Sequence, residues 1–502
     1  MGVVKYHIKK NTYYDSVTLM LISKEVKKME GVHEALVGMG TDLNKELATH
    51  LGISSEEIEC SGVNDFFVSL LCEENIDIND IMDNVNKLLT QKKKSSSSDY
   101  KPATLRTAIK EERDSNLVIV SVPGQYAYEE SKKALENNLH VMLFSDNVSL
   151  EEERKLKDLA VEKGLLMMGP DCGTAIINNI PLAFANVIRK GNIGIVGASG
   201  TGTQEVTVTI HRLGEGVSQV IGTGGRDLSF EIGGTMMLQG IEALMNDENT
   251  KVLVLISKPP EEKITEKILL TLKNSPKPVV VCFIGGDKEL IKKYNAYPAL
   301  SLEDAGRKAV ALLRGEEVGD FHGFDTSHEE IIRIIESETF KMTSSQKDIL
   351  GLYTGGTLAY ESEIFFDKTQ KFIDFGDDKY TKGRPHPMID PSIRAEYLTK
   401  EGYSDNVAIV LLDFVIGYGA HEDPVGEMLP AITEAKAKME EKGKYLSIIA
   451  SICGTEEDPQ NLMESKERLK EAGVIVMNSN IQATKLASLI LDHIENRRDA
   501  NV

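Results

Sequence analysis

The chain has 502 residues, 41% of them hydrophobic, and a formal net charge of -21 at pH 7. That length exceeds what one hydrophobic core accommodates and predicts three or four domains. The negative charge argues against nucleic acid and anionic membrane surfaces as general partners, and no apolar run reaches membrane-spanning length.

The opening "MGVVKYHIKK" has no secretory h-region, and Tyr6 stands where an N-myristoylation signal needs Ser or Thr, so a cytoplasmic protein is expected. "VVKYHI" reads as a strand, "SVTLMLISKEVKKME" as a helix, and "VHEALVGMG" and "DFFVSLLCEE" as two further strands. "IDINDIMDNVNKLL" reads as a helix with Asp77 or Asn79 near its cap. Residues 1–90 therefore fit a small α+β, ferredoxin-like domain with a docking or regulatory role. "QKKKSSSSDY", residues 91–100, has nothing to bury and reads as a linker.

Beyond it, continuous apolar strands ("NLVIVSV", "HVMLFSD", "LLMMG") alternate with amphipathic helices, the pattern of a parallel sheet covered on both faces. One of these helices opens with Ser149 and Glu152 in capping-box spacing. Residues 101–187 are thus expected to form a partial Rossmann-like domain. Its exit, "GPDCGT" (Gly169–Thr174), lies where such sheets bind ligands, and reads equally well as a tight strand-exit turn.

Strand "NIGIVGA" then runs into Ser199-Gly200-Thr201-Gly202-Thr203 and a helical pattern. The first amides of a helix lack intrahelical partners and carry the positive end of the peptide dipoles. Glycines admit an anion to the backbone and Ser/Thr add donors, so this loop reads as a phosphate or carboxylate cradle. It lacks the Lys of a P-loop, and plain β–α turns share its composition. A second glycine loop, "GTGGRDLSFEIGGT", offers Gly224, Gly225 and Arg226 to an anion; Arg226 is equally suited to a salt bridge with a nearby acid. "KVLVLIS", "KPVVVCFIGG" and a helix near 302–314 complete a flavodoxin-like unit, 188–314.

The same order of elements then recurs over 347–497. "ILGLYTGGTLAYESE" echoes "GIVGASGTGTQEV", and "KFIDFGDD", "NVAIVLLD", "YLSIIASICG" and "IQATKLASLILDHI" echo the elements that follow. The second copy has its own cradle, Thr354-Gly355-Gly356-Thr357, and an insertion containing "GRPHPMID". There Gly383, Arg384 and His386 precede a helix for which Asp390 and Pro391 read as N-cap and first residue. Arg384 and His386 are the candidate catalytic residues. His386 could equally cap its turn, His421 could be a surface residue, and Asp374 and Asp378 could orient Arg384 or hold Mg²⁺. The five cysteines are scattered without CxxC spacing, which suits a reducing compartment, and no metal site is expected.

On "GPDCGT", "GIVGASGTGTQEV" and "VIGTGGRDLSFEIGG", residues 116–314 resemble the α chain of succinyl-CoA synthetase and other NDP-forming acyl-CoA synthetases. Residues 347–497 resemble the C-terminal ligase domain of the β chain. The fusion, the extra N-terminal domain and "GRPHPMID" resemble the FdrA family over the whole chain. The fold this implies is α/β: a Rossmann-like partial domain and two flavodoxin-like ligase domains, with an N-terminal α+β domain. The chain departs from the synthetases in three ways. No segment is left to form an ATP-grasp domain. The Gly-rich entry strand of the CoA-binding domain is missing, so CoA, the cofactor the resemblance implies, is not expected to bind specifically. "GGDKELIKKYNAYP" has no His where the family carries its phosphoryl group.

The FdrA resemblance implies a subunit of oxamate carbamoyltransferase, which converts oxalurate and phosphate to oxamate and carbamoyl phosphate in purine and allantoin catabolism. No cofactor is required for that chemistry. It needs two anions held together and a developing oxyanion stabilised. The resemblance puts phosphate on residues 199–203 and the other anion on 354–357 with Gly383, Arg384 and His386. It also implies further transferase subunits and an oligomer. Two other readings stand beside it: an acyl-CoA ligase subunit completed by a separate ATP-grasp chain, and a non-catalytic scaffold.

Overall fold

The computed structural model describes residues 2–12, 14, 16–91, 102, 104–343, 345–366, 370–381, 384–402 and 404–499. Most of the expected linker, 92–100, lies outside the described residues, as does Gly383. The chain divides into two compact units: Met1–Lys101 with Asp378–Pro385, and Pro102–Asp377 with His386–Val502.

In the first unit, strands Val3–Lys9, Val32–Met39 and Phe66–Cys72 form an antiparallel sheet in the order first–third–second. Alternation along the strands sorts side chains between two faces. Val37, Val68 and Leu70 pack under helices Ser16–Lys27 and Ile78–Gln91 with Leu19, Ile22 and Val85. Leu36 and Phe67 pack on the opposite face with Ala48, Ile53 and Ile58. That second face is covered by helices Asp42–His50 and Glu56–Glu59, which the hydrophobic pattern does not announce; Thr41 and Ser55 cap them. Asp77 accepts the amide of Asn79 at 2.9 Å at the start of the last helix.

Among the described residues, the second unit contains three sheets. A small parallel one joins Leu117–Val120, His140–Leu143 and Met167–Met168. The Ser149–Glu152 capping box is present on helix Leu150–Lys163. A seven-stranded sheet follows, whose five parallel strands, Lys190–Gly197, Val217–Gly222, Val252–Ser257, Val279–Phe283 and Tyr297–Pro298, lie in the order 2-1-3-4-5. The third sheet, Asp348–Tyr353, Lys371–Asp374, Val407–Val415, Ser447–Cys453 and Ile475–Met477, has the same 2-1-3-4-5 order and is parallel throughout. These are two flavodoxin-like halves of one repeat, and both cradle loops follow the first strand of their sheets.

Residues 174–183 depart from the sequence expectation. They form a hairpin, Thr174–Ile177 with Ile180–Ala183, that pairs antiparallel with Val217–Gly222. The first-half sheet therefore recruits strands from before residue 188. Asn178 and Asn179 make its two-residue turn, both with positive φ, which Asn tolerates better than most side chains. A continuous hydrophobic cluster, including Ile195, Val206 and Ala305 of the first half and Ile349, Leu358 and Leu486 of the second, joins the two halves.

Candidate functional site

The two cradle loops meet. Helix Gly200–Arg212 is capped by Ser199, whose Oγ accepts the Gly202 amide at 3.0 Å and donates to Thr357 Oγ1 at 2.6 Å. Helix Gly356–Glu363 opens directly opposite. The loops interlock through their glycines: a β-carbon on Gly355 would stand 2.5 Å from Thr201 Oγ1, and one on Gly202 would stand 3.0 Å from Thr357 Cγ2. Side chains at those positions would drive the helix N-termini apart. Thr203 is buried within the first helix, and its Oγ1 lies over Gly197.

Two residues that the sequence reading did not single out hold the second loop in shape. Asp413, at 0% exposure near the end of Val407–Val415, accepts the amides of Thr354 and Gly355 at 2.6 and 2.9 Å. Arg394, from helix Ser392–Glu401, is buried behind the loop. It donates to Leu352 O at 3.0 Å, Asp413 O at 2.6 Å and Thr354 Oγ1, and lies 3.2 Å from the Asp413 carboxylate. Burial raises the Asp413 carboxyl above its ordinary range, while Arg394 and the two amides oppose that shift. An acid inside "IVLLDFVI" and an Arg inside "PSIRAEYL" are the signals that identify this pair, because isolated charges on otherwise apolar or packed segments need partners.

Asp374 ends the neighbouring strand. Its Oδ1 accepts Gly376 N at 2.8 Å, and a β-carbon on Gly356 would collide with its Oδ2. Burial raises its carboxyl, opposed by the Gly376 amide and by Lys258. Lys258 comes from the first half and stands over the Tyr360 ring, 5.3 Å from its centroid. His386 sits beside this acid. A β-carbon on Gly376 would lie 2.6 Å from His386 Nε2, 3.1 Å from Asp374 Oδ1 and 3.2 Å from Thr354 O. His386 Nδ1 accepts Met388 N at 3.2 Å, and its ring packs on Phe184, with centroids 5.7 Å apart. Burial pushes its pKa down to about 4, so it is neutral at pH 7 with its proton on Nε2. His421 Nδ1 accepts the amide of Asp423 in a turn.

Arg384 is exposed and belongs, with Asp378–Pro385, to the first unit, whereas both loops and His386 belong to the second. Asp390 accepts the amide of Ser392, but the helix begins at Ser392 with Pro391 as its cap, one residue later than expected, because Asp390 and Pro391 make the preceding turn. In the second glycine loop, Arg226 pairs with Glu153 at 2.9 Å and donates to Val148 O at 2.7 Å. Its neighbour Asp227 caps helix Thr235–Asn246 through Met236 N and Met237 N and pairs with the buried Lys157 at 2.7 Å. Gly224 has φ +80°, and a β-carbon there would strike Pro170 O. These contacts let Gly224 and Arg226 help dock helix Leu150–Lys163 and the 169–172 turn onto the first half, while a β-carbon on Gly225 would meet only Asp171 Oδ2, at 3.9 Å. Among the described residues no group of three or more His, Cys, Asp or Glu is arranged to hold a metal, and no helix is long and apolar enough to cross a membrane.

Comparison with known proteins agrees with this architecture. Residues 1–104 match the family described as AllF, heavy metal-associated domain, 188–285 the CoA binding domain, and 352–490 CoA-ligase. The CoA-binding match falls on the segment that resembles the first ligase domain. Subunit alpha 2 of the ADP-forming succinate–CoA ligase of Archaeoglobus fulgidus is 28% identical over 29% of this chain and 50% of its own length. SqwL, a subunit of the ADP-forming sulfoacetate-CoA ligase of Acholeplasma sp, is 28% identical over 33% of this chain and 57% of its own. The chain thus spans little more than half of these ligase subunits. The uncharacterized protein YahF of Escherichia coli (strain K12) is 42% identical over 96% of this chain and 98% of its own. The chain belongs with YahF to an FdrA-like family that joins an AllF-type N-terminal domain to CoA-binding and CoA-ligase domains of the acyl-CoA synthetase kind.

Proposed function

We propose that this chain is the ligase-core subunit of an NDP-forming acyl-CoA synthetase-type enzyme. Its two apposed helix N-termini hold the phosphoryl or carboxyl group in transfer, and a separate chain supplies nucleotide chemistry. The observation that carries the reading is the Ser199–Thr357 hydrogen bond, which joins equivalent loops of the two halves. Two sets of helix-terminal amides converge there, an arrangement suited to a small anion. Ligase subunits among the relatives support the same reading. The test is CoA-dependent ADP formation from ATP and small carboxylates, using the full chain mixed with ATP-grasp subunits encoded beside it. Saturable CoA binding and turnover support the proposal; neither appearing with any such subunit overturns it.

A second reading, carbamoyl transfer between oxalurate and phosphate, is favoured by one observation. Residues 284–300 contain no His to carry a phosphoryl group, so transfer there would have to be direct. Release of carbamoyl phosphate from oxalurate and phosphate, independent of ATP and CoA, selects this reading over the first.

A further inference from the structure

Strand Leu117–Val120 sits at a sheet edge but has the sequence of a central strand. It pairs only with His140–Leu143, in parallel. Asn116 O accepts the His140 amide at 2.8 Å and Val120 O accepts the Phe144 amide at 2.9 Å, so the even-numbered residues bond inward. The amides and carbonyls of Leu117 and Ile119 face the open side, and none has a hydrogen-bond partner among the described residues. Both faces of the strand are apolar. Val118 and Val120 pack with Leu135 and Leu143, and Leu117 packs on the other face with the cluster of Met142 and Met168. Ile119, on the same face as Leu117, is 49% exposed. Continuous apolar strands belong inside parallel sheets, with a neighbour on each side.

Among the described residues, every other edge strand is defended against pairing with another chain. Val3–Lys9 carries Lys5 and Lys9, and Lys371–Asp374 carries Lys371. Ile180–Ala183 and Tyr297–Pro298 contain proline, and Val32–Met39 shifts register before Glu34. Met167–Met168 and Ile475–Met477 are only 2 and 3 residues long. Leu117–Val120 has no charge, no proline and no register shift. Residues 115–128 around it carry no charged side chain, in a chain of which 27% is charged.

We propose that a second copy of this chain covers this edge, the two strands pairing antiparallel about a two-fold axis at Val118. The edge is self-complementary. Leu117 and Ile119 of one copy meet Ile119 and Leu117 of the other as hydrogen-bonded pairs, and Val118 meets Val118 between them as the closer, non-hydrogen-bonded pair. Such cross-strand side-chain pairs are what stabilises a sheet. In this register Asp114 falls opposite Val122 and Glu112 opposite Gly124, so no like charges oppose each other. With a net charge of -21, two copies repel over most of their surface, and approach at an uncharged window is the least opposed. Two-fold pairing of identical patches is also the commonest form of association between soluble chains. The small sheet then runs without interruption through both copies. This inference is independent of which reaction the two halves perform.

The test is sedimentation velocity on the full chain over a concentration series. The parent should show a monomer–dimer equilibrium. Ile119→Lys, which places a charge on an exposed side chain, should weaken dimerisation at least tenfold at an unchanged melting temperature. Val63→Lys, an equally exposed apolar position in the first unit, should leave it unchanged. The register is read by cross-linking in a Cys60→Ser background, which removes the exposed thiol. Under mild oxidation Val118→Cys should give a disulfide-linked dimer and Leu117→Cys should not, because only position 118 faces itself across the axis. A parent that stays monomeric at every concentration overturns the proposal, including the case in which a different chain takes the edge. A dimer that survives Ile119→Lys undiminished, or that cross-links through Leu117→Cys and not through Val118→Cys, overturns it as well.

Discussion

Glu361, on the first helix of the second half, accepts a hydrogen bond at 2.8 Å from the amide of Leu302, which opens the last helix of the first half. Glu205 returns the contact, accepting the amide of Asn480 at the start of the second half's last helix at 3.2 Å. Each Glu stands five residues after the glycine that opens its helix. The repeat is thus closed by a reciprocal exchange of helix caps, each half supplying the acceptor that the other lacks.

That exchange has a pH signature. Burial raises the Glu361 carboxyl to about 7, with the neighbouring Glu205 and Glu303 acting in the same direction and the bonds from Leu302 and Asn480 opposing them. A carboxyl whose folded pKa exceeds its unfolded value binds more protons in the native state, so its contribution falls as pH rises from about 4.5 to about 7. His386, lowered to about 4, has the opposite slope between about 4 and 6.5. The difference between parent and variant is therefore the useful readout. In urea unfolding over this range, Glu361→Gln should change that difference by about 3 kcal/mol, the variant gaining relative to the parent as pH rises. A constant difference would show that Glu361 titrates normally.

Asp413 and Arg394 are both buried and serve each other. Asp413→Asn leaves a buried guanidinium without its counter-charge, and such losses cost about 3–5 kcal/mol. Adding Arg394→Met to Asp413→Asn should recover at least half of that loss, because the stranded charge is gone. Additive losses in the double mutant, measured by the same unfolding assay, would mean that the pair does not act as a unit.

Ser199 and Thr357 separate capping from contact between the halves. Thr357→Val removes only the inter-loop bond, worth about 0.5–1.5 kcal/mol. Ser199→Ala removes that bond and the cap on Gly202 together, and should cost about 1 kcal/mol more. Equal losses in thermal or urea unfolding would show that the cap contributes nothing.

Much of the architecture was legible because period and order carry it. Strand–loop–helix units spaced alike in 188–314 and 347–497 required the same sheet topology, and Ser149 with Glu152 marked a helix start. The 174–183 hairpin was harder to see: its strands are short, and the Asn-Asn turn is a weaker sign than Asn-Gly. Local composition identified both glycine loops, but it could not report which protein groups each loop meets. In "GTGGRD", Arg226 pairs with Glu153 and Asp227 caps a helix. Asp413 and Arg394 lie 59 and 40 residues from Thr354, and no local pattern reports a contact over that span.

The hydrophobic cluster shared by both halves bears on the connector between them. Glu316 and Glu317 are exposed, while Asp320 and Asp325 nearby are held by Lys308 and Arg307 of the last helix of the first half. A tether of this kind raises the effective concentration of one half at the other to the millimolar range. A joint contact that already buries helices from both sides, and exchanges caps between them, gains little from that assistance. A backbone nicked at Glu316–Glu317 would therefore remain one particle. Covalent continuity between the halves sets their one-to-one stoichiometry more than it sets their adhesion.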